Sequence, residues 1–194
     1  MLNWLIENYI EILGTLLSIA YLLLSIRQNI LLWPMGILSA ALYVIVFFQA
    51  KFYADMGLNV YYLLISIYGW VTWASAKNKT GVKMPVKKLR GLHLILAALT
   101  IILLFAGIGL ILDNFTDSPL PYWDSLTTSA SVVATWMLTR KYIEHWILWV
   151  VIDLISMGLY IYKGLYPTAV LFMIYTIMAL VGYRQWNREL KTVA

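Results

Sequence analysis

Residues 140–162 read RKYIEHWILWVVIDLISMGLYIY, a basic pair and Glu144 followed, from Trp146, by an apolar run that one charge, Asp153, interrupts. From Trp146 to Tyr162 the run is about 17 residues, the shortest helix that crosses a hydrocarbon core at 1.5 Å per residue. Outward from it, six further windows have this character: Tyr9 to Ile26, Ile30 to Phe48, Ala54 to Ser75, Leu92 to Leu112, Ser125 to Thr139 and Tyr166 to Tyr183. The fifth is short and is expected to borrow Trp123 and Asp124. The composition agrees, with 62% hydrophobic and 12% charged residues, where a soluble domain carries about 25% charged. Lipid is therefore the expected solvent, and no polar stretch is long enough for a catalytic domain outside the membrane. The chain has no cysteine, which excludes disulfides, thiolate metal sites and cysteine nucleophiles. Met1 to Asn8 carries Glu7 and no basic n-region, so it does not read as a signal peptide.

Orientation follows from the basic residues, which are retained on the cytoplasmic side. One set of connections holds Arg27, the stretch with Lys77, Lys79, Lys83, Lys87, Lys88 and Arg90, then Arg140 with Lys141, and finally Arg184, Arg188 and Lys191. The opposite set holds only Lys51 and Lys163, beside the acidic Asp113 and Asp117. The N-terminus is expected outside and the C-terminus inside. Because the basic residues cluster as juxtamembrane anchors, the net charge of +5 points to anionic lipid rather than to nucleic acid.

Sliding the chain against itself by 113 residues superposes the first three spans on the last three. Arg27 falls on Arg140, Trp33 on Trp146, Tyr53 on Tyr166, Tyr62 on Tyr175, Gly69 on Gly182 and Trp73 on Trp186, with Thr15 on Thr128 and Ser18 on Ser131. This predicts an all-α membrane protein of seven transmembrane helices in a three-plus-one-plus-three parallel repeat. The expected parts are 1–75 as the first bundle, 76–113 as basic loop and linker helix, and 114–194 as the second bundle. In parallel-repeat transporters substrate sits near mid-membrane at the repeat interface.

Asp153 lies roughly 10 Å along its span, where an ionised carboxylate costs several kcal/mol unless paired or hydrated. Trp146, Trp149, Asp153, Ser156 and Tyr160 share one helical face. The third span repeats the rhythm in Asn59, Tyr62, Ser66, Gly69 and Trp73, and the seventh in Phe172, Tyr175, Ala179, Gly182 and Trp186. Aromatic rings around one anion suit a flat cationic ligand. The expected substrate contacts are Asp153, Trp149, Trp146, Asn59, Tyr62, Ser66, Tyr175 and Tyr160. Gly69, Gly182 and Trp33 are expected to serve gating or close helix packing, where small residues let helices approach. Trp4, Trp73, Trp123 and Trp186, near helix ends, fit an interfacial belt. No phosphate-cradling loop, nucleophile elbow or metal-ligand set is present in the sequence, so neither an enzyme, a cofactor nor a metal is expected.

Several of these residues together resemble the Pnu-type bacterial vitamin transporters, over about Ile10 to Trp186. The carriers are Leu42-Tyr43 with Phe47-Phe48-Gln49, Tyr53-Ala54, Tyr68-Gly69-Trp70 with Trp73, Tyr122-Trp123-Asp124-Ser125, Thr139-Arg140-Lys141-Tyr142, and the W-x-x-W pair Trp146 and Trp149. The resemblance implies a SWEET-like fold in the bacterial cytoplasmic membrane, often as a homotrimer. It also implies facilitated diffusion of an unphosphorylated vitamin. Nicotinamide riboside members typically carry Asn four residues after W-x-x-W and Gln in the third span, where this chain has Asp153 and Asn59. That departure makes the chain look like the thiamine branch, with nicotinamide riboside as the alternative. A proton-coupled permease with Asp153 as relay, and a receptor or subunit without transport, are the rival classes.

Overall fold

The computed structural model describes residues 9–49, 53–81, 83–116 and 119–193. Met1 to Asn8, Lys51 and Asp117, used above for processing and orientation, lie outside the described residues. The chain divides into two compact units, Met1–Met84 and Pro85–Ala194. In the first, α1 (Tyr9–Ile26) packs on α2 (Leu32–Gln49), and α2 on α3 (Tyr53–Thr80). In the second, α4 (Leu92–Phe115), α5 (Pro121–Thr139), α6 (His145–Tyr162) and α7 (Tyr166–Val193) each pack on the next. The linker helix α4 thus groups with the second unit.

Among the described residues, four of these seven helices are long and apolar enough to cross a membrane by length and composition: α2, α4, α6 and α7. The sequence reading expected seven such spans, and α5 shows why a helix can fall short of the criterion. It reads PYWDSLTTSASVVATWMLT, with Ser125, Ser129 and Thr139 wholly buried. Their hydroxyls are bonded inside the protein, Ser125 to the Phe105 carbonyl at 2.6 Å, Ser129 to Leu126 at 3.0 Å and Thr139 to Trp136 at 2.7 Å. A helix surrounded by protein can carry hydroxyls that bond to backbone carbonyls, whereas one facing lipid cannot leave polar groups unpaired. Its neighbour α4 is the opposite case, exposing Leu103 and Phe115 at 72% and 82%.

Two boundaries run past the sequence expectation. Rather than stopping near Ser75, α3 continues to Thr80, and α7 continues past Tyr183 to Val193. The polar extension of each keeps the helical hydrogen bonds without needing lipid. On α5, Pro121 opens the first turn, where its missing N–H is no loss.

The 113-residue shift is visible in the helix bounds. Moved by 113, Leu32–Gln49 becomes 145–162, the bounds of α6, and Tyr53–Thr80 becomes 166–193, the bounds of α7. The turns between the first two helices of each set also agree bond for bond. Gln28 and Lys141 both adopt a left-handed backbone, at φ 51° and 56°. Gln28 N–H donates to the Ser25 carbonyl and Asn29 N–H to Leu24, at 3.0 and 2.9 Å. Their counterparts, Lys141 to Leu138 and Tyr142 to Met137, are both 3.0 Å. This pair of bonds is the Schellman ending of a helix, built here without the usual glycine.

In the second unit the stretch before α4 is extended and seated on this turn. Lys87 N–H donates to the Lys141 carbonyl and Ile143 N–H to the Lys87 carbonyl, both at 2.9 Å, and Leu89 N–H donates to Glu144 Oε2 at 2.9 Å. The Leu89 side chain joins Ala97, Val133 and Met137 in a buried apolar cluster.

Candidate functional site

Two indole rings are set into two glycines. In the first unit the Trp33 ring lies where a side chain on Gly69 would stand, and its edge meets Trp73 at 5.3 Å and 87°. In the second, Trp146 Cη2 lies 2.6 Å from the position of a Cβ on Gly182, and the ring meets Trp186 at 5.8 Å and 86°. All four tryptophans are buried. The belt reading of Trp73 and Trp186 is therefore corrected, because a belt residue must reach the membrane surface. Among the described residues the Nε1 atoms of Trp33 and Trp146 have no hydrogen-bond partner. His145 is buried, its ring packed against both Trp146 and Trp186, at 4.5 and 4.7 Å. Its Nδ1 lies 2.7 Å from the Tyr142 carbonyl. Among the described residues no group of three His, Cys, Asp or Glu side chains converges as a metal site.

On α6, Asp153 is 4% exposed and Ser156 8%. Among the described residues, neither side chain has a hydrogen-bond or ionic partner. A buried carboxylate in that position is costly unless something supplies donors or a countercharge. Trp149, one turn before Asp153, is half-buried, as is Tyr160 two turns after it. Tyr160 stacks on Phe172 of α7 at 5.1 Å and 28°, and Phe172 meets Tyr175 edge-on at 5.8 Å. Along α6 and α7 the second unit thus carries the Asp153 carboxylate, the Ser156 hydroxyl and a chain of three contacting rings. Trp146, expected beside Trp149, has its ring in the glycine notch instead.

In the first unit Asn59 Nδ2 donates to the Asp55 carbonyl at 2.9 Å, so its amide is engaged within α3. Tyr62 lies beside Tyr61, with ring centroids 5.8 Å apart. Ser66 is buried, its Oγ 3.1 Å from the Cβ position of Gly36, and the Tyr21 ring lies 3.0 Å from the same point. Neither Tyr21 nor Gly36 was singled out from sequence. In the 113-residue register Gly36 is the counterpart of Trp149 and Tyr21 of Ala134, so large and small residues have exchanged places between the units.

The model of the family described as nicotinamide mononucleotide transporter matches residues 8–188. The chain belongs to that family. Among family relatives, the nicotinamide riboside transporter PnuC of Escherichia coli K12 is 28% identical over 92% of this chain and 85% of its own length. The riboflavin/roseoflavin transporter RibM of Streptomyces davaonensis is 24% identical over 91% and 83%. The crystal structure of the vitamin B3 transporter PnuC superposes with a TM-score of 0.77 at 22% identity, covering 97% of this chain and 84% of that one. The fold is thus that of a nicotinamide mononucleotide transporter family member, and the protein is a multi-pass protein of the bacterial cytoplasmic membrane.

Proposed function

We propose that this protein is a membrane transporter that carries a small cationic aromatic vitamin and performs no covalent chemistry. The observation that carries the reading is Asp153, a buried carboxylate in mid-helix with no partner among the described residues, in a unit where Tyr160, Phe172 and Tyr175 form a chain of contacting rings. Anion and rings together favour a ligand that is both charged and flat. Nicotinamide riboside is the substrate best supported by the names of the relatives. Thiamine is the second reading, favoured by Asp153 itself. It provides a full countercharge at the position where the resemblance to nicotinamide riboside members calls for Asn.

Asp153 acts as countercharge, with Trp149, Tyr160 and Tyr175 as stacking surfaces. Trp146, Asn59, Tyr62 and Ser66 are substrate contacts on the sequence argument alone. Seven crossings in a three-plus-one-plus-three order with the N-terminus outside, facilitated diffusion, and a homotrimer complete the proposal. Titration of the purified protein with nicotinamide riboside and with thiamine tests it. Saturable binding of at least one is expected, and a folded protein that binds neither overturns the reading.

A further inference from the structure

Because the two units share one register, each residue of α1 and α2 has a counterpart on α5 and α6 whose chemistry can be compared. Along the α1–α2 seam polar side chains close on one another. Thr15 Oγ1 and Tyr43 OH are 3.0 Å apart, and Ser18 and Ser39 Oγ are 2.8 Å apart with the Gly14 carbonyl within 3.1 Å of each. The Tyr43 ring lies over Gly14, 3.1 Å from its Cβ position.

The second unit keeps the α1 side of this seam and loses the α2 side. Thr128 stands for Thr15 and Ser131 for Ser18, but Ile152 stands for Ser39 and Ser156 for Tyr43. Isoleucine has no hydrogen-bonding atom, and a serine hydroxyl stops a phenol ring short of the opposite helix. Thr127 stands for Gly14, its hydroxyl turned back to the Trp123 and Asp124 carbonyls at 3.1 Å. Asp153 replaces Ala40 on the same stretch of α6. Ser131, Asp153 and Ser156 are 6%, 4% and 8% exposed. The side chains of these three and of Thr128 make no hydrogen bond among the described residues. Buried polar groups are almost always paired, and in the first unit the counterparts Thr15 and Ser18 are.

We propose that Thr128 and Ser131 on α5 are substrate contacts. They hydrogen-bond the hydroxyl- or amino-bearing arm of the cationic ligand while Asp153 takes its charge. The inference rests on the transport reading above and adds a helix to the site that the W-x-x-W face does not include. It also explains why the hydroxyls are paired along the seam in one unit and unpaired in the other. One unit is packed for stability, and the other leaves donors for a ligand to satisfy.

Five variants separate this from ordinary packing, each measured for affinity with nicotinamide riboside and thiamine and for melting temperature without ligand. Thr128→Val and Ser131→Ala are expected to weaken binding about three- to tenfold each, the range of one neutral hydrogen bond, with little change in ligand-free melting. Thr128→Ser, which keeps the hydroxyl, retains affinity. Thr15→Val and Ser18→Ala, which break bonds internal to the first unit, lower the melting temperature and leave affinity within about twofold. Unchanged affinity in both α5 variants overturns the inference while leaving the transport reading intact. If the parent binds neither vitamin, the transport reading falls. The α5 hydroxyls are then judged on melting alone, where a loss equal to that of Thr15→Val and Ser18→Ala shows them to be internal bonds and overturns the inference.

Discussion

Trp146 occupies the notch that Gly182 leaves in α7, with Cη2 2.6 Å from where a Cβ would stand. A methyl group there overlaps a rigid ring that is itself held by Trp186 and His145. Gly182→Ala is expected to destabilise the protein by about 1 to 3 kcal/mol, as overpacking does. Gly69→Ala against Trp33 should behave alike. Thermal unfolding in detergent measures it, and the double variant Gly182→Ala with Trp146→Phe should recover part of the loss. Strict additivity in that double variant would show that the two side chains do not meet.

Trp149 is expected to stack on bound ligand, since it lies one turn from Asp153 and remains half-buried rather than locked in a notch. Its fluorescence should respond to nicotinamide riboside or thiamine. Trp149→Ala should lose at least about tenfold in affinity, or 1.4 kcal/mol, and a smaller loss with full retention in Trp149→Phe would reduce the ring to packing.

Asp153→Asn discriminates substrate and mechanism together. An ionised countercharge contributes a charge-assisted hydrogen bond, so thiamine should weaken by about 1.5 to 3 kcal/mol, and nicotinamide riboside by less. In a proton-coupled cycle the same variant would bind normally yet lose accumulation driven by a pH gradient. Affinity and gradient-driven uptake in proteoliposomes, measured on one preparation, separate the two. If neither changes, Asp153 is a structural residue.

Glu144 ties the stretch before α4 to the α5–α6 turn through the Leu89 N–H. Glu144→Ala removes the acceptor and leaves that donor unmade, at a cost of about 1 to 3 kcal/mol. Amide exchange should accelerate first at Leu89, and unchanged protection there would contradict the latch.

The chain has no cysteine, so a single one placed at Lys83, which is exposed, reports orientation. Labelling is expected only from the cytoplasmic side. Labelling of intact cells from outside would reverse the topology.

Much of the helical order was legible because its signals are local. Apolar runs of membrane length mark α2, α4, α6 and α7 directly. The 113-residue register, carried by Trp33 and Trp146 or Gly69 and Gly182, gave each of these residues its counterpart in the other unit. Hydropathy was least informative at α5, because Ser125 and Ser129 satisfy themselves against a neighbouring and a backbone carbonyl. An inventory of residue types cannot see that pairing. Asp153 announced itself as a charge in an apolar run, whereas Thr128 and Ser131 looked the same as Thr15 and Ser18 until their partners were known.

By itself, then, the sequence determined the helical class, the number and approximate bounds of the helices, the internal register and the family. Each rests on period, length and residue identity along the chain, which survive without any knowledge of contacts. Only the tertiary structure decided that Trp73 and Trp186 are buried ring partners rather than surface anchors, that His145 packs against two indoles, and that α5's hydroxyls divide into paired and unpaired. Those are properties of what stands opposite a residue. Two residues of the same type at equivalent places in a repeat, such as Ser18 and Ser131, differ in pairing because one meets Ser39, whereas Ile152 stands in the place of Ser39 in the other unit. That difference is set across the seam between helices rather than along either of them.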